Sequence, residues 1–353
     1  MPRRTPKTRL EPLLARPGAM YTCTGDGLCC TGLHTLGPLT RAEARRVLVL
    51  PRPDGVRALN VVEASAPDVR EMPLGAHGGC GYLEDDGRCH VHATLGARAK
   101  PAGCRRFPYR ATATEDGLRI STHHRCPCRT MGERPPLDVN DAREALEGGR
   151  GHSDPDAVVT RKILLRRGKP VAFDAWKRFE GELFARAAAG ERAESLIDVR
   201  SLPTLRGEPR WHGVVEDMRS AHSDGTAFDA TVAWFAEGLA EVVGVPIVEP
   251  PPARPWGAAF DRAEARPAVS EAPEARWVDW LLDEVWGLEW AAVGSFQLAT
   301  LDWSVRLRVG RAIERRIAAL GASPVRAAAE AVCVVDTVGA SGWWEDVASR
   351  LVE

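Results

Sequence analysis

The sequence predicts an α+β protein, in which a small cysteine-rich metal-binding module is followed by a mainly all-α domain. Three observations lead there. Eight of the nine cysteines and six of the nine histidines fall between Cys23 and Cys128, while all eleven tryptophans lie beyond Cys128. From about Asn140 the apolar residues recur at helical spacing, whereas earlier segments alternate or are broken by glycine and proline. A chain of 353 residues is also past the size at which single cores usually stop growing. The expected division is a flexible lead over 1–19, a cysteine module over 20–130, a linker over 131–139 and a helical domain over 140–353.

Within the module, Thr40 and Glu43 have capping-box spacing ahead of a short helix that ends before Pro51. The segment 56–75 reads as a weak hairpin or loop excursion. Asp85-Asp86-Gly87 is a turn signal between short extended arms. In a regular two-residue hairpin closed at Asp86-Gly87, Cys89 would face Glu84, and Cys80 would lie roughly 13 Å further along. Either Gly81 bends that arm, or Cys80 and Cys89 serve different metals. Pro101 and Pro108 bracket Cys104 and predict that a loop presents it. YRATATEDGLRISTHH alternates on both sides of Glu115-Asp116-Gly117 and predicts a hairpin delivering the chain to Cys126-Pro127-Cys128.

In the second half, helices are expected in DAREALEGG, DAVVTRKILLRR, FDAWKRFEGELFARAAA, PRWHGVVEDMRSAH and FDATVAWFAEGLAEVV. PIVEPPPARPWG reads as a loop. Helices resume in WVDWLLDEVWGLEWAAV, LATLDWSVRLRVGRAIERRIAAL, PVRAAAEAVCVVDTV and WWEDVASRLV. Trp277 with Trp280, and Trp286 with Trp290, are spaced for packing between helices, and Cys333 reads as a core residue.

A dense thiol cluster means a disulfide framework or a metal site. The basic, proline-broken N-terminus has no secretory apolar core, and no run of about 18 apolar residues offers a membrane span. A cytoplasmic protein is therefore expected. In a reducing compartment clustered thiols point to metal: zinc, or iron in an iron–sulfur cluster. The candidate ligands are Cys23, Cys29, Cys30, Cys80, Cys89, Cys104, Cys126 and Cys128. Cys29 and Cys30 cannot face the same way in extended chain, so one ligates while the other supports, or they bridge two sites. His92, His123 and His124 read as ordinary histidines. Spacing leaves the metal open, because neither zinc-finger knuckles nor ferredoxin runs occur.

Residues 1–130 carry 20 Lys and Arg against 12 Asp and Glu. This excess either neutralises metal-bound thiolates or forms a solvated face. With no aromatic-basic reader motif, nucleic acid is not the expected partner. No phosphate-binding glycine loop or hydrolase motif is present either.

The order Cys23-x5-Cys29-Cys30, the helix start Leu39-Thr40 to Glu43, Cys80-x-Tyr82-Leu83 leading to Cys89, and Pro101-x-x-Cys104-Arg105-x-Phe107-Pro108 resembles the YkgJ-type cysteine-cluster family over roughly residues 20–130. That resemblance implies zinc or iron chelation. The longer segment through Leu95-Gly96 to Lys100-Pro101 is similar to the branch containing the flagellin lysine N-methylase, which uses S-adenosylmethionine. Three functions are thus expected of the chain. The leading one is a metal-binding protein holding an iron–sulfur cluster or zinc, with Arg105 and Arg106 tuning a cluster through charge and hydrogen bonds. The second is an S-adenosylmethionine-dependent lysine-methylase-like enzyme whose helical domain receives a protein substrate. The third is a zinc-stapled protein-interaction module.

Overall fold

The structure, a computed structural model, describes residues 12–23, 30, 39–53, 72, 75, 79–131, 134–147, 155–159, 162–197, 201–220, 227–265 and 272–352. It is mixed: a small sheet and several short helices precede a mainly helical C-terminal region. The excursion expected over 56–75 lies, apart from Met72 and Gly75, outside the described residues.

Strand β1 (Leu13–Ala15) opens the described chain and pairs in parallel with a later strand. The lead expected to be flexible over 1–19 therefore becomes, from Pro12, part of the sheet, and Ala19 and Arg16 are buried. Helix α1 (Arg41–Val47) starts at Thr40 with the anticipated capping box: Glu43 N–H donates to Thr40 Oγ1 at 3.2 Å and Thr40 N–H donates to Glu43 Oε2 at 2.8 Å. Three short helical segments follow. They are α2 (His90–Leu95), a 3-10 turn at Ala97–Ala99, and α3 (Ala102–Arg106).

The expected hairpin forms as β2 (Tyr109–Thr114) and β3 (Gly117–Thr122), antiparallel from Tyr109 opposite Thr122 to Thr114 opposite Gly117. After the short helix α4 (Pro127–Thr130) comes α5 (Val139–Glu147). The proline-rich stretch expected to link two domains is tied down on the way: Tyr21 N–H donates to Pro135 O at 2.9 Å and Leu137 N–H to Ala19 O at 2.9 Å. The segment 156–167 is a second correction. It forms β4 (Ala157–Val158) and β5 (Ile163–Arg166), the latter paired with β6 (Lys169–Val171), where a helix was expected. Its β-branched Val158, Val159 and Ile163 suit extended chain, and β4 gains a parallel partner in β2. The sheet order is β1-β3-β2-β4.

Both faces of this sheet are covered. Ala111, Ala113, Leu118 and Ile120 pack with Tyr21, Ala142 and Leu146. The opposite face carries Arg110, Thr112, Arg119 and Ser121, all buried. That face meets helices, namely α6 (Phe173–Ala188) and, beyond α7 (Ala193–Leu196), α8 (Trp211–Ser220), α9 (Ala227–Val243) and α10 (Gly257–Glu264), α11 (Pro273–Gly287). Arg119 Nη1 donates to Glu180 Oε1 at 2.7 Å, and its guanidinium lies 4.2 Å from the Trp286 ring centroid. Thr112 Oγ1 donates to Gly287 O at 2.6 Å and Trp286 Nε1 to Ile120 O at 3.0 Å.

The end of α11 splits the run expected as one helix, for Leu288 adopts a left-handed conformation at φ 54° and the chain restarts as α12 (Trp290–Val293). Helices α13 (Phe296–Ala319), α14 (Pro324–Gly339) and α15 (Gly342–Ala348) complete the bundle. Trp277 and Trp280 are fully buried and edge-to-face at 6.1 Å. Gly310 on α13 lets Trp277 approach, since a Cβ there would stand 2.1 Å from the indole. Cys333 is buried, as expected. Among the described residues no helix is long and apolar enough to cross a membrane.

At the joint between sheet and bundle sits a buried charge cluster. Arg16 and Arg129 grip Asp279 and Asp283: Arg16 Nε donates to Asp283 Oδ1 at 2.6 Å, Arg129 Nη2 to Asp283 Oδ2 at 2.8 Å, and both guanidinium groups also pair with Asp279. Burial alone would raise the Asp283 carboxyl, but Arg16 and Arg129 hold it well below the usual range. Burial and the Arg129 charge depress His124 despite Asp283, whose Oδ2 accepts from the imidazole Nε2–H at 2.9 Å. Removing one partner strands the others in the interior. Asp283→Ala is expected to lower stability by about 3–5 kcal/mol in urea denaturation, and a loss under about 1 kcal/mol would show that the joint does not depend on this cluster.

Candidate metal centre

Four of the expected ligands, from separate segments, line one small cavity: Cys30, Cys80, Cys89 and Cys104, with Met72, Val91, Lys100, Pro101 and Phe107. Backbone hydrogen bonds bring them together. Cys80 N–H donates to Cys30 O at 2.6 Å, which sets the first two side by side. The chain then turns, with Leu83 N–H donating to Cys80 O at 3.0 Å and Tyr82 N–H reaching Cys80 Sγ at 3.5 Å. Tyr82 is fully buried and anchors this turn to α1, its hydroxyl donating to Val47 O at 2.9 Å.

The hairpin that follows pairs Leu83 with Cys89, one residue off the register expected from Asp86-Gly87. Its loop closes with Glu84 N–H donating to Arg88 O at 2.8 Å and Gly87 at φ 85°. Of the two alternatives for Cys80 and Cys89, the bent arm is the one observed, since both line the same cavity. His90 Nδ1 lies 2.8 Å from Glu84 Oε1, and His92 is exposed.

Cys104 corrects another expectation, because it sits within α3 and not on a loop; Pro101 is the residue before that helix. Glu43 places the helix. While one oxygen closes the box on Thr40, Oε1 accepts from Ala102 N–H at 2.7 Å, so a single carboxylate ties the start of α1 to the start of the helix bearing Cys104. Burial works against this charge, but the hydrogen bonds from Thr40 and Ala102 and the nearby Arg105 outweigh it and hold Glu43 below the usual carboxylate range.

The other expected ligands divide differently. Cys126 and Cys128 are buried with Tyr21 in the core beneath the sheet. Cys23, two residues beyond Tyr21, is exposed. Burial pushes the Tyr21 phenol far up, and Cys126, Cys23 and Cys128, when ionised, push the same way. None of these three lines the four-thiol cavity. Cys29 lies outside the described residues.

The two arginines expected to serve a cofactor have other partners. Arg105 donates to the carbonyls of Ala145 at 3.0 Å and Lys100 at 3.2 Å. Arg106 pairs with Asp156 at 2.9 Å. Arg110 and Arg129 pair with carboxylates of α11. The cation in the cavity wall is Lys100, whose place beside Pro101 in the sequence carried no sign of that position.

Among the described residues no group of three or more His, Cys, Asp or Glu side chains is already assembled to hold a metal ion. The four thiols line one cavity. The cavity measures about 20 Å3, roughly the space of one water-sized sphere. Soft sulfur donors with one ion-sized space between them suit a single thiophilic ion.

No known protein family matches the chain, and no curated protein or solved structure matches it.

The Glu43 contribution has a defined pH sign. A carboxyl whose pKa is lower folded than unfolded stabilises fully above the unfolded value, about 4.3, and that stabilisation is lost as pH falls through the lower folded value. Stability measured at pH 6 and pH 3 should therefore differ less in Glu43→Gln than in the parent. An equal difference would show that the carboxylate does not tie α1 to α3.

Proposed function

We propose that the chain is a metal-binding protein whose centre is a single ion on Cys30, Cys80, Cys89 and Cys104, with zinc the best fit to the donor set. The observation that carries this reading is the convergence of four thiols, from segments spread over 75 residues of sequence, on one ion-sized cavity. A four-sulfur, tetrahedral set is the usual structural zinc arrangement, and the hydrogen bond to Cys80 Sγ belongs to the outer contacts that steady a thiolate. The ion would staple α1, the Cys80–Cys89 hairpin and α3, and supply folding energy to a module whose own apolar cluster is small. Lys100 would offset part of the thiolate charge.

Metal analysis of protein purified under reducing conditions tests this directly. One equivalent of zinc is expected, with Cys80→Ser and Cys104→Ser each losing most of it. Cys128→Ser should retain it at this centre. Retention in both Cys80→Ser and Cys104→Ser contradicts the assignment, and iron with matching acid-labile sulfide contradicts the single ion.

A further inference from the structure

A second, larger cavity of about 550 Å3 opens where the hairpin meets α11 to α15. That volume lies within the range of small-molecule sites. Its apolar side is built from the indoles of Trp290, Trp303 and Trp344. Most of its buried charges are spent on one another: Glu284 accepts from Arg110 and Arg306, Asp302 from Arg306 and the Trp344 indole, and Asp336 from the backbone N–H of Arg125.

Several buried polar atoms in the wall make no hydrogen bond, among them Arg110 Nε, Arg125 Nε and Glu289 Oε1. The Arg125 guanidinium lies over the Phe107 ring at 5.4 Å, and its buried Nε has no hydrogen-bond partner. Glu289 Oε1 is likewise buried without a hydrogen bond; it ion-pairs with Arg110 Nε at 3.6 Å, too long for a hydrogen bond, and that Nε is itself unmatched. The Trp290 Nε1–H beside it is also unmatched. Buried donors and acceptors left open are costly, and an open donor and an open acceptor in one cavity call for a ligand carrying both charges.

We propose that this cavity binds a small zwitterion of the α-amino acid class with an aromatic or bulky apolar side chain, its carboxylate on Arg125 and its ammonium at Glu289. The ligand would lie one aromatic ring from the thiol cavity. Phe107 lines that cavity and, on its other side, stacks with His123 at 6.0 Å and carries Arg125, both of which line the larger one. Binding here does not require the metal centre.

Calorimetric titration of the full chain with L-phenylalanine, phenethylamine and 3-phenylpropionate tests the assignment, with metal content measured on the same preparations. Saturable binding of phenylalanine is expected, with the amine and the acid each weaker by roughly tenfold or more, the cost of one charge-assisted contact. Arg125→Met should weaken the amino acid and the acid but not the amine, and Glu289→Gln the amino acid and the amine but not the acid. Both side chains are partly exposed, so circular dichroism should show the parent fold. No binding of phenylalanine to folded protein, or binding that neither variant changes, overturns the proposal. Metal-loaded protein that fails to bind leaves the thiol centre standing, and binding by metal-free protein leaves the cavity standing.

Discussion

The buried grip of Arg16 and Arg129 on Asp279 and Asp283 locks the sheet to the helical bundle. Each of these ions loses several kcal/mol of hydration on burial, and that loss is offset only when all are in register at once. The cluster draws on β1's end, the chain after β3, α4 and α11, so it fixes the sheet on the bundle in one orientation. Such a joint specifies an arrangement more than it strengthens one, because an apolar contact of the same size would bind as well without the directional demand. Arg119 with Glu180, and Arg110 with Glu284, extend the same logic along the polar face of the hairpin.

From that joint the two cavities take their positions. The hairpin is held at one end by the charge cluster, and at its start Phe107 and Cys104 leave the sheet toward the thiol cavity. His123 and Arg125, just past the end of β3 and so beside that start, line the larger cavity. The thiol cavity depends on a second, smaller tie, in which Glu43 holds α1 and α3 while Tyr82 holds the Cys80 turn to α1. Neither tie is a metal ligand, yet together they determine whether the four thiols share one space.

What the sequence disclosed was local. The Thr40–Glu43 box, the Glu115-Asp116 turn and the periodic helices α6, α8, α9, α13 and α14 each rest on residues within a few positions of one another, and each appears as expected. Pairings across long stretches of chain did not show. The bonds of Arg105 to Ala145 and of Arg106 to Asp156, about 40 and 50 residues away, had no trace in the local pattern around Cys104. The segment 156–167 has apolar residues that fit helix or strand; β2 offered β4 an open edge, and β6 paired with β5. Pro12 to Ala19, read as a lead, joined the sheet because β3 offered the other edge. Nothing in the spacing of the cysteines separated those that line the thiol cavity from Cys126 and Cys128, which pack with Tyr21.

The proposed single ion on Cys30, Cys80, Cys89 and Cys104 has a distinct signature in X-ray absorption at the edge of the metal that copurifies with the full chain. A single shell of four sulfur atoms at about 2.3 Å is expected, with no metal neighbour further out. A metal–metal distance in the spectrum, or a first shell dominated by nitrogen and oxygen, would contradict it.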